Sequence, residues 1–534
     1  MVANRGEIAV RVFRTCRRLG IETVAVFAPD DAGALHTRVA DEVVAVSSYL
    51  EPAELAQAAR AAGAEAVHPG YGFLAESPAL ASAVIAEGIT WIGPPVEALR
   101  RGGDKLEAKR LALEAGVPTL PSGDPEHVGL PLLVKAAAGG GGRGMRVVRS
   151  AAELQDAVAA ARREASAAFG DDRVYGERLL ERPRHVEIQL LADAHGTVVS
   201  LGERDCSVQR RHQKVLEESP SPGVGRELRL RLADAATTFA RAIGYVGAGT
   251  AEFLVDGDDL WLLELNARIQ VEHPVTEAVT GLDLVEEQIR IAEGERVAPA
   301  PVPTGHAVEA RLYAEDPRTF LPQAGRISEL RLPDGIRVDA GVETGDEIGT
   351  RYDPMIAKLV AVGADRSEAL DRLAVALAQT EVQGVRTNLP FLRWLVAHPV
   401  FRAGEATTAF LVEHPPLSAP PAPPPGGPWA GSFRLNLPAS APAAAPREPA
   451  DGTDPGHGGG GRLDSPMPAT VVRVDVAPGD RVEPRRPLLV LEAMKMETPI
   501  VAPYGGIVRA VYVEPGDTVA VGQPLVELGE REPP

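Results

Sequence analysis

At 534 residues the chain is too long for one hydrophobic core and implies three or four domains. A formal charge of −19 excludes a general affinity for nucleic acid or an anionic membrane, since both need a basic surface, although a local Lys/Arg cluster could still hold an anionic substrate. Cys16 and Cys206 are too few for a disulfide framework or a Cys-rich zinc site, and without a signal peptide or an apolar run of about 18 residues the expected location is the cytoplasm.

Residues 1–412 read as alternating strand and helix. Val2-Ala3 looks like the end of a strand cut short, an opening expected of a chain that starts a few residues inside its gene product. Asn4-Arg5-Gly6 turns, Ile8, Val12 and Leu19 mark a helix, Gly20 stops it, and Thr23 to Phe27 is a β-rich run. Repeating such βαβ units predicts a parallel sheet with helices on its faces.

After the strand Leu132-Leu133-Val134 comes Lys135-Ala136-Ala137-Ala138 and a glycine run, Gly139 to Gly142, closed by Arg143-Gly144. Glycines let backbone N–H groups close over phosphates without side-chain clash, and the flanking Lys and Arg neutralise charge. No Gly-Lys-Ser/Thr follows, so this is not a Walker loop, and by itself such a run is as well explained by a surface loop.

Further on, Ala251 to Val255 and Leu260 to Glu264 flank Asp256-Gly257-Asp258-Asp259 and predict a hairpin. A three-residue loop at 257–259 places Glu252 opposite Glu264, with Cβ atoms about 5 Å apart. Like charges so placed repel unless a cation such as Mg²⁺ lies between them. If the second strand stays extended, Glu264, Asn266, Arg268, Gln270 and Glu272 share one face, with Leu263, Leu265, Ala267, Ile269 and Val271 on the other. A solvated polar face also alternates in this way, but it does not account for carboxylates, an amide and an Arg crowded beside a phosphate loop.

From His414 to about Gly461 Pro, Ala and Gly dominate and no apolar period survives, which predicts a linker interrupted only by Trp429 to Leu437. Residues 465–529 then hold an internal repeat. Thr470 to Asp480 matches Ile507 to Asp517 at an offset of 37, and Pro487 to Val490 matches Pro524 to Glu527 at the same offset. Two such halves make a small β-sandwich, with Glu492-Ala493-Met494-Lys495-Met496-Glu497 as an exposed hairpin at the seam.

The segment 465–529 resembles the biotin carboxyl carrier domain, in which Ala-Met-Lys-Met is the attachment sequence read by biotin protein ligases; lipoyl domains usually flank the lysine differently. GDK at 103–105, KAAAGGGGRGM at 135–145, RHVEIQ at 184–189, ERDCSVQRRHQK at 203–214, ELNARIQVEHPVTE at 264–277 and GHAVEAR at 305–311 resemble biotin carboxylase, an ATP-grasp enzyme, over about residues 1–412. The resemblance implies a mixed α/β and α+β architecture in five parts. These are a nucleotide-fold N-terminal domain (1–103), an ATP-grasp domain with a lid (104–303), a C-terminal domain (304–412), a Pro/Ala/Gly-rich linker (413–462) and an all-β biotinyl sandwich (463–530). A flexible chain of about 48 residues spans roughly 35–40 Å, enough reach for a tethered carrier.

Carried over position by position, the family pattern implies biotin on Lys495 and nucleotide contacts from Lys105, Lys135, Gly140, Gly141, Gly142, His185, Gln209 and His212, with Glu177 and Leu180 near the base and ribose. It implies Mg²⁺ (or Mn²⁺) on Glu252, Glu264 and Asn266, and bicarbonate on Lys214, Arg268, Gln270 and the backbone of Val271. Glu272 matches the general base, which takes the bicarbonate proton so that ATP can form carboxyphosphate; Arg311 matches the residue that stabilises charge on the ureido oxygen of biotin. Lys214 and Arg268 belong to the same catalytic set. Cys206, with no base or metal partner in view, reads as structural. Ala137-Ala138 and Arg178 depart from residues common in relatives and touch only lid detail and a backbone contact.

No segment resembles a carboxyltransferase, so a separate β subunit is expected to pass the carboxyl group to acetyl- or propionyl-CoA. The docking domain that many relatives carry ahead of the biotinyl domain is replaced by the short linker. Homo-oligomerisation within a larger complex is expected by likeness. Methylcrotonyl-CoA, pyruvate or urea carboxylase subunits, another ATP-grasp ligase and a carrier with a dead ATP site remain as alternatives.

Overall fold

A computed structural model of the chain describes residues 1–137, 145–210, 213–418, 461–493 and 496–529. Two compact units make it up: residues 1–313, 327–346 and 355–417; and residues 314–326, 347–354 and the described part of 418–534.

The first unit opens much as the sequence suggests. Val2 makes isolated parallel bridges to Ala25 and His68. The helix Gly6–Leu19 ends at Gly20, whose φ of 73° is a left-handed cap that few other residues adopt readily. Its apolar stripe of Ile8, Val12 and Phe13 is buried against Leu284, Val285 and Ile289. Strands Val24–Phe27 and Glu42–Ala45 pair in parallel, as do Ala66–Val67 and Thr90–Trp91.

The parallel expectation holds only in this N-terminal part. The rest of the unit centres on an eight-stranded antiparallel sheet: β1 (Arg184–Ala192), β2 (Val198–Arg210), β3 (Gln213–Ser219), β4 (Gly247–Asp256), β5 (Asp259–Asn266), β6 (His306–Tyr313), β7 (Arg337–Ala340) and β8 (Met355–Gly363), in the spatial order β5-β4-β1-β2-β3-β6-β8-β7. Several of these strands are joined by only a few residues, too few for the helical crossover that parallel neighbours need. The helix His273–Thr280 covers one face, burying Val275 and Val279 against Ala307 of β6 and Val360 of β8.

A second sheet of four short antiparallel strands runs Ser122–Gly123, Val174–Arg178, Leu132–Ala136, Arg146–Val148 in space. The helix Ala151–Phe169 backs it, with Ala161 buried beside Leu132, Val134 and Val148.

In the second unit the internal repeat becomes two four-stranded sheets. Ala469–Val474 recurs as Gly506–Val511, Arg481–Val482 as Thr518–Val519, and the strand starting at Pro487 as the one starting at Pro524, each 37 residues on. Each sheet mixes strands from both halves, so neither half closes its core without the other. Val471, Leu489 and Leu491 pack there with Val508, Leu525 and Val526. The repeated Pro-Gly-Asp turns use left-handed glycines, Gly479 (φ 97°) and Gly516 (φ 98°), and Asp480 and Asp517 accept the backbone N–H of Ala477 and Glu514.

Candidate functional site

Several of the residues singled out in the first unit converge on one face of the central sheet. Period-two alternation on β1 turns His185, Glu187 and Gln189 to the same side. β4 brings Glu252 next to Glu187 in register, β3 supplies Lys214, and β6 supplies Arg311.

Glu252 does lie directly opposite Glu264, but not by the route the sequence implied. The connection is a two-residue turn, Gly257-Asp258, with Asp256 paired to Asp259, rather than a three-residue loop. That register alone would set Glu252 against Leu263. A bulge between Glu252 and Phe253 shifts the ladder by one and restores the carboxylate pair.

The extended run expected through Glu272 also stops early. β5 ends at Asn266, residues 267–271 are irregular, and Glu272 stands at the N-cap position of the helix His273–Thr280. Hydrogen bonds, not strand alternation, tie this loop to the site. Arg268 donates to Asn266 Oδ1 (3.0 Å), to Gln270 Oε1 (3.3 Å) and to Glu76 (3.0 Å). Asn266 and Gln270 donate in turn to Glu252 Oε1, at 2.9 and 3.2 Å. Val271 offers its carbonyl to Lys358 Nζ at 2.9 Å.

At the centre, Lys214 Nζ contacts three carboxylates: Glu187 (2.5 Å), Glu252 (2.8 Å) and Glu272 (2.6 Å). Arg311 Nη2 bridges Glu272 (2.9 Å) and Glu217 (2.5 Å). Burial raises the Glu272 carboxyl, but Lys214, Arg311 and Arg204 outweigh it and hold the group well below the usual carboxylate range. Glu272 is therefore a buried, ionised carboxylate between two cations, able to accept a proton from a group placed beside them.

The other carboxylates differ. Glu252 is also held low, since Lys214 and His185 outweigh the burial that would raise it; His185 Nε2 lies 2.9 Å from Glu252, and Gln209 donates to His185 Nδ1 at 2.6 Å. Glu264 is raised by burial and by Glu252, and its one ion-pair partner among the described residues is Lys105 at 4.0 Å. Two opposed carboxylates with an amide oxygen nearby form a hard, oxygen-only donor set of the kind Mg²⁺ prefers, so these residues fit such an ion. The nearby group His185, Glu187 and Glu252 also converges, but Lys214 and Arg204 already satisfy its carboxylates.

The remaining cations come from the small sheet, which carries Lys135, and from the helix Lys105–Glu114, which carries Lys105 and Lys109. Glu177 is buried between Lys135 and Lys109, the latter at 2.5 Å, and Leu180 is half-buried just beyond the same strand. Cys206 is buried, and burial pushes its thiol well up, as expected of a structural residue. Gly140, Gly141, Gly142, His212 and Lys495 lie outside the described residues, as does the Trp429–Leu437 segment; Ala493 and Met496, on either side of 494–495 in sequence, are paired.

Sequence reasoning missed Glu187, Arg204, Glu217, Glu76, Lys109 and Lys358. Glu187 was legible, because it alternates between His185 and Gln189. Arg204, fully buried and bonded to Glu187, Gln189, Thr250 and Thr276, had no signal short of the strand order.

Comparison with known proteins follows the same division. Residues 1–99 match the biotin carboxylase N-terminal domain, 104–299 the carbamoyl-phosphate synthase L chain ATP binding domain, 309–413 the biotin carboxylase C-terminal domain, and 461–528 the biotin-requiring enzyme family. The chain is 46% identical over 438 residues to a biotin carboxylase of Halalkalibacterium halodurans, covering 78% of this chain and 97% of that one. It is 40% identical over 586 residues to the biotin-dependent acyl-coenzyme A carboxylase alpha3 subunit of Mycobacterium leprae, covering 99% and 98%. Against the mitochondrial methylcrotonoyl-CoA carboxylase subunit alpha of Arabidopsis thaliana it is 46% identical over 441 residues, 78% of this chain but only 60% of that one. Among solved structures, the biotin carboxylase domain of Hydrogenobacter thermophilus 2-oxoglutarate carboxylase, in complex with MgADP, ADP and bicarbonate, superposes with a TM-score of 0.75 at 43% identity, covering 78% and 97%. No helix among the described residues is long and apolar enough to cross a membrane.

Proposed function

Because this chain belongs to the biotin carboxylases, the ATP-dependent ligase components of biotin-dependent carboxylases, we propose that it carboxylates biotin carried on its own Lys495 and hands the carboxyl group to a separate carboxyltransferase β subunit acting on acetyl- or propionyl-CoA. The observation that carries this reading is the buried Glu272 carboxylate, ionised between Lys214 and Arg311 on the face that also holds the Glu252–Glu264 pair.

The family likeness implies each role, and the chemistry of the side chains suits it. Lys105, Lys135, His185, Gln209 and His212, with Gly140, Gly141 and Gly142, bind the nucleotide phosphates, while Glu177 and Leu180 lie toward base and ribose. Lys214, Arg268, Gln270 and the Val271 backbone seat bicarbonate, placing its hydroxyl toward Glu272. Glu272 takes that proton, and fixed cations offset charge as it forms without reorganising in the step. Arg311 steadies negative charge on the acceptor. Glu252, Glu264 and Asn266 would hold Mg²⁺. When bound, Mg²⁺ neutralises phosphate charge and biotin supplies the ureido nitrogen that receives the carboxyl group.

The acyl-CoA assignment rests on the end-to-end likeness to the M. leprae acyl-CoA carboxylase subunit. A second reading, a methylcrotonoyl-CoA carboxylase subunit, is favoured by the equally high identity to subunits of that name. The test measures ADP release by the biotinylated chain with and without bicarbonate, and ¹⁴C retention on wild type and Lys495→Ala. Bicarbonate-dependent release with label lost only in Lys495→Ala is expected. Release indifferent to bicarbonate would overturn the assignment.

A further inference from the structure

Behind Arg311 lies a pair of acids that the proposed chemistry does not use. Glu217 of β3 and Glu309 of β6 are direct cross-strand partners, and both are fully buried. Side chains so paired sit about 5 Å apart at Cβ, where two anions repel. The compensation is lopsided. Glu217 has Arg311 at 2.5 Å. Neither carboxylate has a hydrogen bond to either oxygen among the described residues, and Glu309 alone also lacks a cation at ion-pair distance there. Lys358, the next cation on that face, is engaged by Glu7 at 2.9 Å and by the Val271 carbonyl at 2.9 Å.

The charges around the pair come from every neighbouring element. Lys214 and the Cys206 thiol belong to β3 and β2, Arg311 to β6, Lys358 to β8, and Glu272 to the start of the covering helix. Burying an ionised carboxylate without a partner costs far more than keeping its proton. Both groups shift accordingly. Burial raises Glu217 to about 7 against the pull of Arg311, with Glu272 adding to the rise. Burial raises Glu309 well above its ordinary value against the pull of Lys358, with Glu217 adding to it.

We propose that Glu217 and Glu309 share one proton at neutral pH and act as a positioning pair for Arg311, setting how that guanidinium divides itself between Glu217 and Glu272. With one proton the pair carries a single negative charge, and Arg311 keeps both of its contacts. Loss of the last proton puts two anions behind one guanidinium and draws it away from Glu272. The alkaline limit of catalysis is then set in part by Glu309, which touches no reactant. This inference rests on the biotin carboxylase reading only where it speaks of catalysis; the shared proton stands on the pairing alone.

Two measurements on the full chain test it. Infrared spectra at neutral pH should show a deuterium-sensitive carboxylic-acid C=O band that disappears in Glu309→Gln. The pH profile of bicarbonate-dependent ADP release should extend about one unit or more to the alkaline side in Glu309→Gln, while its kcat at neutral pH falls by less than about 10-fold, since the amide mimics the protonated acid. Thermal unfolding supplies a readout independent of activity. A raised folded-state pKa favours the folded protein below the ordinary carboxylate value and loses that benefit as pH rises, so Glu309→Gln should gain stability relative to wild type as pH increases. No lost infrared band, together with a stability loss in Glu309→Gln that grows with pH, would mean that Glu309 is ionised and would overturn the proposal. If wild type released ADP without regard to bicarbonate, the functional reading would fail while the infrared and thermal results still judged the proton.

Discussion

Glu272→Gln separates catalysis from architecture. Glu272 touches Lys214 at 2.6 Å and Arg311 at 2.9 Å, yet neither cation depends on it alone. Lys214 keeps Glu187 and Glu252, and Arg311 keeps Glu217. A glutamine retains the shape and an oxygen acceptor, so the net loss is about two weakened charge-assisted hydrogen bonds, on the order of 1–3 kcal/mol. In a unit of this size that lowers Tm by only a few degrees. The amide cannot take a proton from bicarbonate, which removes general-base catalysis, about 10²–10⁴-fold in kcat, or roughly 3–5 kcal/mol of barrier. The assay is steady-state ADP release with saturating bicarbonate beside a melting curve. A variant with activity within about threefold of wild type would refute the role of Glu272. A collapse of Tm would show that the carboxylate is structural. The sign of the pH effect follows from the same contacts. A depressed carboxylate contributes stability above its ordinary pKa and loses it as pH falls through the lowered value, so Glu272 remains ionised through mildly acidic conditions and its own titration should not produce an activity loss near pH 6.

Other outcomes follow from individual contacts. Lys214→Met strips the shared cation from three buried carboxylates and should cost about 3–5 kcal/mol, read as a large fall in Tm that high salt does not restore. Glu264→Gln should raise the Mg²⁺ concentration for half-maximal activity by about 10-fold or more, because it replaces one of two opposed anionic carboxylates with a neutral amide while leaving the Glu252 contacts intact; an unchanged Mg²⁺ requirement would remove Glu264 from the metal set. Asp283 caps the helix Leu284–Ala292 and binds Arg11 and Thr15; burial raises its carboxyl, but Arg11 and these hydrogen bonds hold it far below the usual range. Asp283→Asn should therefore lower Tm at neutral pH, by a margin that shrinks in acid as the wild-type carboxylate protonates. Lys495→Ala should abolish biotin incorporation, seen by mass spectrometry, and leave bicarbonate-dependent ADP release with free biotin intact.

Local order was legible wherever a residue's own stereochemistry or a repeat set it. Gly20 had to end the first helix because only a left-handed residue closes that cap, and the 37-residue repeat required a sandwich because neither half can bury its apolar face alone. The motifs were enough to name the family. Strand direction was not legible, since an apolar run bounded by turns looks the same in parallel and antiparallel neighbours. The Glu252–Glu264 pair was reached by a three-residue loop that does not exist; the bulge that creates it depends on how the backbone fits against neighbouring strands, which the two strand sequences do not record. Glu272 was placed on a strand, yet it starts a helix, and it reaches Lys214 and Arg311 because β3 and β6 are adjacent in the sheet. Sequence alone thus determined which groups the protein carries and the local turns that present them. Only the tertiary structure sets their proton affinities apart: Glu217, Glu272 and Glu309 have the same side chain, but Glu217 is buried beside Arg311, Glu272 between Lys214 and Arg311, and Glu309 with no cation at ion-pair distance among the described residues.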